Sequence, residues 1–539
     1  MQRHLRAREA PMDDIFSGHQ LDIPFASVPE LLARYRDRDP GRLALVDLDQ
    51  GSEITFGALA DVVDRIAARL LALGVGKGDK VLLLSDECIE KLLLWLGAWR
   101  IGAVVCPLNI ELNNAYIADF ADVLKPKVVL YENGLDYGAI TGAGPTVRFG
   151  AWRQDGAADP ADDFFSTLPA AVAPADLPAP YGPLDMAAVF CTSGTTDRPK
   201  AVVYDHAAYW LSGLSTLDML GLTEDDKALE YRSFGWNSAQ VLSLMPFLQK
   251  GTTLHIAKRF SHSRFFEWIQ KYGITFAAGV PTVLNMLLNK PLGYTADDLP
   301  TLRLMSCSSA PLSAEQWVKF ETMYGITLLQ LYGMSEAGWI CGNRHYKAKL
   351  GTVGLPAKHQ EFAIVDGEGN ECPPGVEGSV TIGGPQTALG TLRDDGTIEP
   401  VRGLRIKTGD LAVRDADGFI TVTGRTKDLI IRGGMNIAPA EIDGVILASD
   451  MVLEGSAIGV PDPIYGEEVV CVVVPKSPDI TGEQIAAYLR ARLPAPKVPK
   501  KIYFAESLPK SDRGKVLRDK LRETLPELTE AAVVNLKAS

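Results

Sequence analysis

Short apolar strands and a longer helical stretch alternate in the first quarter of the chain. Residues 81–84 and 103–107 have the uncharged, Leu- and Val-rich composition of buried strands, and residues 88–102 between them have the length of a helix. Two strands that are joined by a helix usually lie parallel in one sheet, and the helix packs on the face of that sheet. The order therefore predicts an α/β fold with helix-covered sheets, which residues 127–131 extend.

The length and charge of the chain exclude several classes of protein. A single core rarely exceeds about 250–300 residues, so 539 residues predict two or more domains. The formal net charge of −13 disfavours a nucleic-acid or membrane-surface partner, because both bind basic faces. Residues 1–10 lack the apolar run of a signal peptide, and no stretch approaches about 18 uncharged apolar residues. We therefore expect no membrane span.

Seven cysteines are scattered along the chain, and none shows C-x-x-C spacing. An odd number of cysteines without metal-type spacing is typical of reduced thiols rather than of a disulfide framework or a zinc site. This cysteine usage predicts a cytoplasmic location.

A hydroxyl-rich stretch of nine residues follows the apolar run 187–190 and reads T-S-G-T-T-D-R-P-K. Hydroxyl and N–H groups donate to phosphate oxygens, glycine lets the backbone close on an anion, and lysine adds a positive charge. The stretch is not a Walker A loop, because the second glycine of that motif is missing. It predicts a polyphosphate-holding loop, with a plain polar surface turn as the alternative. Its candidate ligands are Thr192, Ser193, Gly194, Thr195, Thr196 and Lys200.

Four further stretches suit a nucleotide. Residues 306–312 read S-C-S-S-A-P-L, residues 330–336 read Q-L-Y-G-M-S-E, residues 407–410 read K-T-G-D, and residues 509–517 read P-K-S-D-R-G-K-V-L. A carboxylate is the natural acceptor for the two hydroxyls of a ribose, and Mg²⁺ prefers carboxylate and phosphate oxygens.

On these motifs the chain resembles the acyl- and aryl-CoA synthetases of the adenylate-forming superfamily, from about residue 30 to residue 525. The chain departs from the family pattern at several motif positions. Asp197 stands where the family usually has glycine, Ser308 and Ser309 replace the glycines of a G-G-A-P-L stretch, and Ser335 replaces a threonine. A carboxylate beside a triphosphate is repulsive, so Asp197 predicts a cost in ATP affinity.

The resemblance implies a site for ATP and Mg²⁺ in the larger part of the chain. Tyr332 would stack on adenine, Asp410 would accept from both ribose hydroxyls, and Glu336 would hold Mg²⁺ against the triphosphate. Thr195, Glu336 and Lys515 would be the catalytic residues. Besides the 192–200 loop, the residues implied to bind ATP or AMP are Ser309, Ala310, Pro311, Gln330, Tyr332, Gly333, Met334, Ser335, Asp410, Arg425 and Lys515.

The resemblance also implies a pocket for the acid, formed by Trp236, Asn237, Val280, Gly333 and Met334. The indole of Trp236 would shorten this pocket, although core packing explains a tryptophan there equally well. The lining is mostly apolar, and no arginine can be placed in it from the sequence, which disfavours dicarboxylates. We expect a small to medium or aromatic monocarboxylate.

Residues 1–426 and 427–539 are expected to form separate domains. By resemblance, the first is a large domain of helix-covered sheets with a small β subdomain, and the second is a small, mobile α+β domain that carries Lys515. Lys427 would be the hinge between them. Gly433 and Gly434 would line the tunnel for the pantetheine arm of CoA, because glycine lets a thin ligand pass close to the backbone.

The implied reaction is ATP-dependent ligation of a carboxylic acid to CoA. The acid attacks the α-phosphate and releases pyrophosphate, and the CoA thiol then takes the acyl group from the adenylate. Because the first step brings two anions together, Lys515 and Mg²⁺ would supply positive charge. Acetylation of Lys515 by a lysine acetyltransferase would remove that charge. The alternatives are an adenylating enzyme that loads a separate carrier protein and an inactive nucleotide-binding scaffold.

Overall fold

The computed structural model describes residues 23–108, 110, 114–135, 144–153, 164–192, 200–310, 312–511 and 515–534. Within these ranges the strands form four sheets, two largely parallel and two largely antiparallel. The predicted α/β fold is therefore confirmed. None of the described helices is long and apolar enough to cross a membrane.

The largest sheet in the described part of the chain has nine strands. Across the sheet they are β15 (Leu355–Pro356), β14 (Gly338–Gly342), β13 (Thr327–Met334), β12 (Leu304–Cys307), β11 (Phe276–Ala277), β9 (Lys227–Glu230), β10 (Thr253–Ile256), β1 (Leu43–Asp47) and β2 (Glu53–Thr55). The six strands from β13 to β1 pair in parallel, so their carboxyl ends lie at one edge. Residues of β12 and β10 are fully buried, as expected for strands covered on both faces.

A second sheet contains the alternation from which the fold was predicted. Its eight strands among the described residues are, in order, β19 (Ile398–Pro400), β18 (Gly390–Leu392), β8 (Lys200–Asp205), β7 (Met186–Thr192), β4 (Val104–Leu108), β3 (Lys80–Leu84), β5 (Val128–Glu132) and β6 (Thr146–Phe149). As predicted, β3 lies parallel to both β4 and β5.

The small β subdomain expected from the sequence is a third, antiparallel sheet. Its strands are β16 (Glu361–Val365), β17 (Gly378–Gly383), β20 (Ile406–Arg414) and β21 (Ile420–Arg425). Apolar side chains of this sheet, among them Ile364 and Val380, share one buried cluster with Ile340 and Cys341 of β14. This shared cluster attaches the subdomain to the largest sheet.

The fourth sheet is built only from the end of the chain. Its strands are β23 (Met435–Ile437), β22 (Ile430–Arg432), β25 (Gly466–Pro475), β26 (Lys501–Phe504) and β27 (Thr529–Val533), and β24 (Val452–Asp462) also pairs with β25. Two apolar clusters cover its faces, and every residue in them lies between positions 430 and 534.

Helices cover these sheets. The described α-helices are α1 (Val28–Arg38), α2 (Phe56–Ala72), α3 (Ile89–Arg100), α4 (Asn114–Leu124), α5 (His206–Leu220), α6 (Asn237–Ala239), α7 (Met245–Lys250), α8 (Phe265–Tyr272), α9 (Pro281–Asn289), α10 (Ala314–Tyr324), α11 (Pro439–Leu447), α12 (Gly482–Arg490) and α13 (Arg518–Thr524). A π-helical turn, Gln240–Leu244, joins α6 to α7. All seven cysteines are buried, and none of them forms a disulfide.

The Ala- and Pro-rich stretch 142–183 is more ordered than its composition predicts. Its described parts contain β6 and the buried rings of Phe164, Phe165 and Tyr181. The guanidinium of Arg100 donates to the main-chain oxygens of residues 174 and 178, at 3.3 and 3.0 Å. A composition rich in Ala, Pro, Gly and Asp predicts a poorly structured connection. That prediction is wrong for the described parts of this stretch, where a distant arginine satisfies two main-chain carbonyl groups.

Candidate functional site

Four neighbouring parallel strands bring the predicted pocket and nucleotide segments to one edge. β9, β11, β12 and β13 lie side by side, with Cys307 opposite Gln330. The chain continues from β9, β11 and β12 into the segments 231–237, 278–280 and 308–310. The parallel pairing of β13 ends at Gln330, and the chain continues through residues 331–336. Ligands of open α/β sheets bind in the crevice outside the carboxyl ends of the strands. The topology thus gathers these segments where a ligand is expected.

Tyr332, Asp410 and Arg425 form one hydrogen-bonded group. The Tyr332 hydroxyl donates to Asp410 Oδ2, and Arg425 Nε donates to Asp410 Oδ1 at 2.9 Å. Thr408 Oγ1 accepts from the Asp410 main-chain N–H at 3.1 Å. Burial, together with the negative charge of Asp410, raises the pKa of Tyr332 well above its usual value. The structure therefore brings together three residues that the sequence placed in separate motifs.

The segment predicted to lie against adenine has a left-handed residue. Ser309 has φ = 76°, a conformation that favours glycine, so the replacement of the family's glycine leaves backbone strain. Ser308 is buried, and its main-chain N–H donates to Gly279 O at 3.3 Å. Ala310 follows half-buried, and Pro311 lies outside the described residues.

Gln330 of β13 is buried beside this segment, opposite Cys307. Its main-chain oxygen accepts from the N–H and the Nδ2 atom of Asn343, at 3.1 and 3.2 Å. These contacts fix the strand that leads into Tyr332.

A tight turn carries Met334, Ser335 and Glu336. Its closing hydrogen bond runs from the Ala337 N–H to Met334 O at 3.2 Å, and all three side chains are half-buried. Gly333 precedes the turn, and a Cβ atom there would lie 2.4 Å from the main-chain oxygen of residue 338. Glycine is therefore required at this position, because the backbone of residue 338 lies so close to it.

Glu336 is the predicted metal ligand. Its carboxylate lies close enough to the buried Tyr204 hydroxyl to help raise the pKa of that phenol, after burial itself. No group of three or more His, Cys, Asp or Glu residues that could hold a metal occurs among the described residues. A carboxylate is a suitable donor for Mg²⁺, which commonly binds one or two protein carboxylates together with phosphates and water.

The predicted acid pocket includes the start of α6. The main-chain N–H of Trp236 donates to the main-chain oxygen of Ser233 at 3.0 Å. Trp236 precedes Asn237, the first residue of the helix. Asn237 is 6% exposed, and its Nδ2 atom has no hydrogen-bond partner among the residues that the structure describes. Val280 is half-buried and precedes α9.

One arginine was not placed from the sequence. Arg232 is buried, and its Nη1 atom donates to Ser308 Oγ at 3.5 Å, beside the predicted adenine segment. Its Nε and Nη2 atoms donate to the two carboxylate oxygens of Glu230, at 2.8 and 2.7 Å. The signal that could have revealed it is the E-Y-R spacing at the end of β9. Its charge is neutralised by Glu230.

The phosphate loop is framed by two paired strands. Thr192 ends β7 and lies opposite Lys200, the exposed first residue of β8. Ser193, Gly194, Thr195 and Thr196 lie outside the described residues, as does Asp197. Their predicted contacts with ATP stay predictions.

The remaining predicted residues lie near the end of the chain. Lys427 is exposed in the turn Thr426–Asp428. Gly433 and Gly434 are exposed in the turn between β22 and β23. Their φ values of 57° and 82° favour glycine, so the turn itself also needs glycine at both positions. Lys515 is half-buried, and its main chain exchanges hydrogen bonds with Ser511, at 2.8 and 3.3 Å.

Comparison with known proteins agrees with the motifs. The model of the AMP-binding enzyme family matches residues 32–392, and that of the AMP-binding enzyme C-terminal domain matches residues 441–515. A feruloyl-CoA synthase of Amycolatopsis sp is 32% identical over 482 residues, 88% of this chain and 94% of that protein. An oxalate–CoA ligase of Arabidopsis thaliana is 30% identical over 514 residues, 90% of this chain and 96% of that protein.

The similarity extends to three dimensions. The crystal structure of ATP-bound MatB from Rhodopseudomonas palustris has a TM-score of 0.81 to this structure and 28% sequence identity, and the match covers 93% of this chain and 99% of MatB. The chain belongs to the AMP-binding enzyme family, the adenylate-forming superfamily that includes the acyl- and aryl-CoA synthetases.

Proposed function

We propose that the chain joins a carboxylic acid to CoA in two steps that consume ATP. First, a carboxylate oxygen of the acid bonds to the α-phosphorus of ATP, and the bond from that phosphorus to pyrophosphate breaks. Second, the CoA sulfur bonds to the acyl carbon, the carbon–oxygen bond to AMP breaks, and the thiol proton is released. The products are pyrophosphate, AMP and an acyl-CoA thioester.

The observation that carries this proposal is the group formed by Tyr332, Asp410 and Arg425. Each oxygen of Asp410 accepts one side-chain hydrogen bond and keeps a further lone pair, which suits a ribose with two neighbouring hydroxyls. The Tyr332 ring lies beside that carboxylate, where adenine would stack on it. The Arg425 side chain is 44% exposed and can also reach a ribose or phosphate oxygen.

We propose Mg²⁺ as the metal at Glu336, held jointly by that carboxylate and the triphosphate. The half-buried carboxylate provides the oxygen donor that Mg²⁺ prefers, and the described residues provide no larger ligand cluster nearby. When bound, the ion would offset negative charge on the phosphates. Glu336 itself would keep the triphosphate end of ATP at the carboxyl edge of the largest sheet.

The acid is proposed to be a small to medium or aromatic monocarboxylate. Trp236, Val280 and Met334 supply apolar surface, whereas the charge of Arg232 is already neutralised by Glu230 and offers no free cation for a second carboxylate. The unpartnered, buried Nδ2 atom of Asn237 can donate to an oxygen of the acid. One relative is named for ferulate, an aromatic monocarboxylate, whereas another is named for oxalate, a dicarboxylate that this proposal excludes.

We also propose the division into residues 1–426 and 427–539, with Lys427 as the hinge. Arg425 precedes the proposed hinge and is hydrogen-bonded to Asp410, which also precedes it. Asp428 follows the hinge and is paired at 3.1 Å with Nη1 of Arg518, which also follows it. The exposed Lys427 lies between these two anchored positions. The exposed turn at Gly433 and Gly434 would then meet the pantetheine arm of CoA when the second domain turns.

Lys515 is the proposed adenylation lysine. Its ammonium would stabilise negative charge on the α-phosphate during the first step, and the second step would not need it. Acetylation by a lysine acetyltransferase would remove this charge and would therefore stop adenylation. A fully acetylated protein that retained adenylation activity would contradict this role.

AMP release tests the proposed function directly. The chain would be incubated with ATP and Mg²⁺ and with acetate, butyrate, benzoate, ferulate or oxalate, each with and without CoA. We expect AMP release that depends on both CoA and a monocarboxylate, and none with oxalate. Pyrophosphate exchange without CoA-dependent turnover would favour loading of a carrier protein, and no nucleotide turnover with any acid would contradict the proposal.

A further inference from the structure

Gln386 is a fully buried amide in the segment that follows β17. Its Oε1 atom accepts from Ser215 Oγ at 2.7 Å, and its Nε2 atom donates to the main-chain oxygens of Ala337 and Trp339, at 3.1 and 2.8 Å. An amide nitrogen carries two N–H donors. Both donors of Gln386 are therefore committed to the chain that directly follows Glu336.

The main chain near Gln386 holds the same turn. The N–H of Ala388 donates to the main-chain oxygen of Glu336 at 2.8 Å. Residues 386–388 thus bind the carbonyl groups of positions 336, 337 and 339. Gln360 Nε2 adds a second donor to Ala337 O, at 2.7 Å.

Helix α5 also contacts the segment that follows Glu336. Gly338 has φ = 63°, and a Cβ atom there would lie 2.5 Å from Ser212 Oγ on that helix. The indole Nε1 of Trp339 donates to Thr216 Oγ1 at 2.8 Å. Ser215, which orients the Gln386 amide, lies on the same helix. The backbone that carries Glu336 is therefore held by contacts with both α5 and residues 386–388.

We propose that Gln386 is a positioning residue for the metal–ATP complex. By holding the carbonyl groups of Ala337 and Trp339, it keeps the backbone of Glu336 in the conformation that presents the carboxylate to Mg²⁺ and the triphosphate. This inference rests on the proposed role of Glu336 as the metal ligand. Loss of a hydrogen-bonding partner behind a metal ligand typically weakens metal affinity about 10- to 100-fold.

The test compares two ligands that differ in their need for the metal. Gln386→Met keeps the length of the side chain but removes both N–H donors. Isothermal titration with ATP in the presence of Mg²⁺ is expected to show about 10- to 100-fold weaker binding, whereas AMP without metal binds within about twofold of the unsubstituted protein. Gln249→Met is the matched control. Gln249 Nε2 also donates to a main-chain oxygen, that of Trp210 on α5 at 2.8 Å, but it makes no hydrogen bond to the described residues of the turn that carries Glu336.

Each outcome decides the inference. Unchanged binding of ATP with Mg²⁺ by Gln386→Met, or equal weakening of AMP, would show that Gln386 has no specific positioning role. If Gln386→Met does not fold, Ser215→Ala replaces it. We then expect weaker binding of ATP in the presence of Mg²⁺ and unchanged binding of AMP. Unchanged binding of ATP would contradict the inference.

A parallel Glu336→Gln variant separates this inference from the proposed function. If it weakens ATP binding in Mg²⁺ while Gln386→Met does not, only the inference is wrong. If Glu336→Gln binds ATP normally in Mg²⁺, the metal role of Glu336 fails and the inference fails with it.

Discussion

The hydroxyl of Tyr332 donates a hydrogen bond to the carboxylate of Asp410, across the junction between the largest sheet and the antiparallel subdomain. Tyr332 belongs to β13 and Asp410 to β20, 78 positions further along the chain. The residue expected to stack on adenine and the residue expected to hold the ribose therefore form one hydrogen-bonded unit. Such preorganisation lowers the cost of ordering the site when ATP binds.

Tyr332→Phe tests the energetic value of this unit. Loss of a hydrogen bond to a charged acceptor is expected to lower the free energy of unfolding by about 2 kcal/mol. The pKa of Tyr332 is raised in the folded protein, so its stabilisation is fully present below the unfolded pKa of about 10 and is lost as the pH rises towards the folded pKa. In urea unfolding, the difference in the free energy of unfolding between the two proteins should therefore be constant at about pH 7–9 and should become smaller near pH 11. A difference in the free energy of unfolding that stays constant to about pH 11 would contradict a raised pKa of Tyr332 in the folded protein.

Lys515→Ala should separate the two half-reactions. Removal of one preorganised charge from the transition state is expected to slow adenylation about 10²- to 10³-fold. Conversion of supplied acyl-AMP and CoA to thioester should stay close to the normal rate, because that step does not need the lysine. Lys510→Ala is the matched control, since Lys510 lies in the same segment and is paired with Glu454 at 2.5 Å. Equal loss of both half-reactions in Lys515→Ala would contradict the proposed role.

Ser309 provides a test of backbone strain in the adenine segment. Its left-handed conformation costs a non-glycine residue about 1–2 kcal/mol, and a β-branched residue still more. Ser309→Gly is therefore expected to keep or slightly raise the thermal midpoint, whereas Ser309→Val should lower it. A higher thermal midpoint for Ser309→Val than for Ser309→Gly would contradict backbone strain at this position.

His255 predicts a loss of stability in acid. Burial lowers its pKa to about 4, below the value of about 6.5 in an unfolded chain. The unfolded chain therefore binds the proton more readily, so the free energy of unfolding should fall by about 2 kcal/mol between about pH 7 and pH 5 on account of this group. His255→Gln should lose less stability over this interval in urea unfolding, while the exposed control His345→Gln should behave like the unsubstituted protein. Equal acid sensitivity of all three proteins would exclude His255 as a source.

Much of the fold follows from local sequence patterns. Apolar runs such as residues 81–84 form buried strands, and the periodic apolar positions of residues 56–70 form the buried face of α2. The order of these elements was sufficient to predict parallel sheets, because parallel strands need a long crossover connection, which is usually a helix. The motif at residues 330–336 likewise singled out the segment that carries Glu336, although not its turn.

Long-range polar contacts could not be predicted in this way. Gln386 and Ser215 are hydrogen-bonded although they lie 171 positions apart, and no local pattern marks either residue. Arg232 was missed because its role depends on the neighbouring strand end that carries Ser308. Similarly, the order in residues 164–183 depends on Arg100 of α3, which composition does not reveal. The order of the strands in the sheets, rather than the sequence of any one segment, brings these groups together.

In the proposed reaction, an oxygen of the acid bonds to the α-phosphorus of ATP. The most direct measurement uses the acid that supports AMP release, labelled with ¹⁸O in both carboxylate oxygens, followed by mass spectrometry of the products after reaction with ATP and CoA. We predict one ¹⁸O atom in each AMP and none in pyrophosphate, because the carbon–oxygen bond breaks when the thioester forms. Label in phosphate or pyrophosphate, or AMP without label, would contradict acyl-AMP formation.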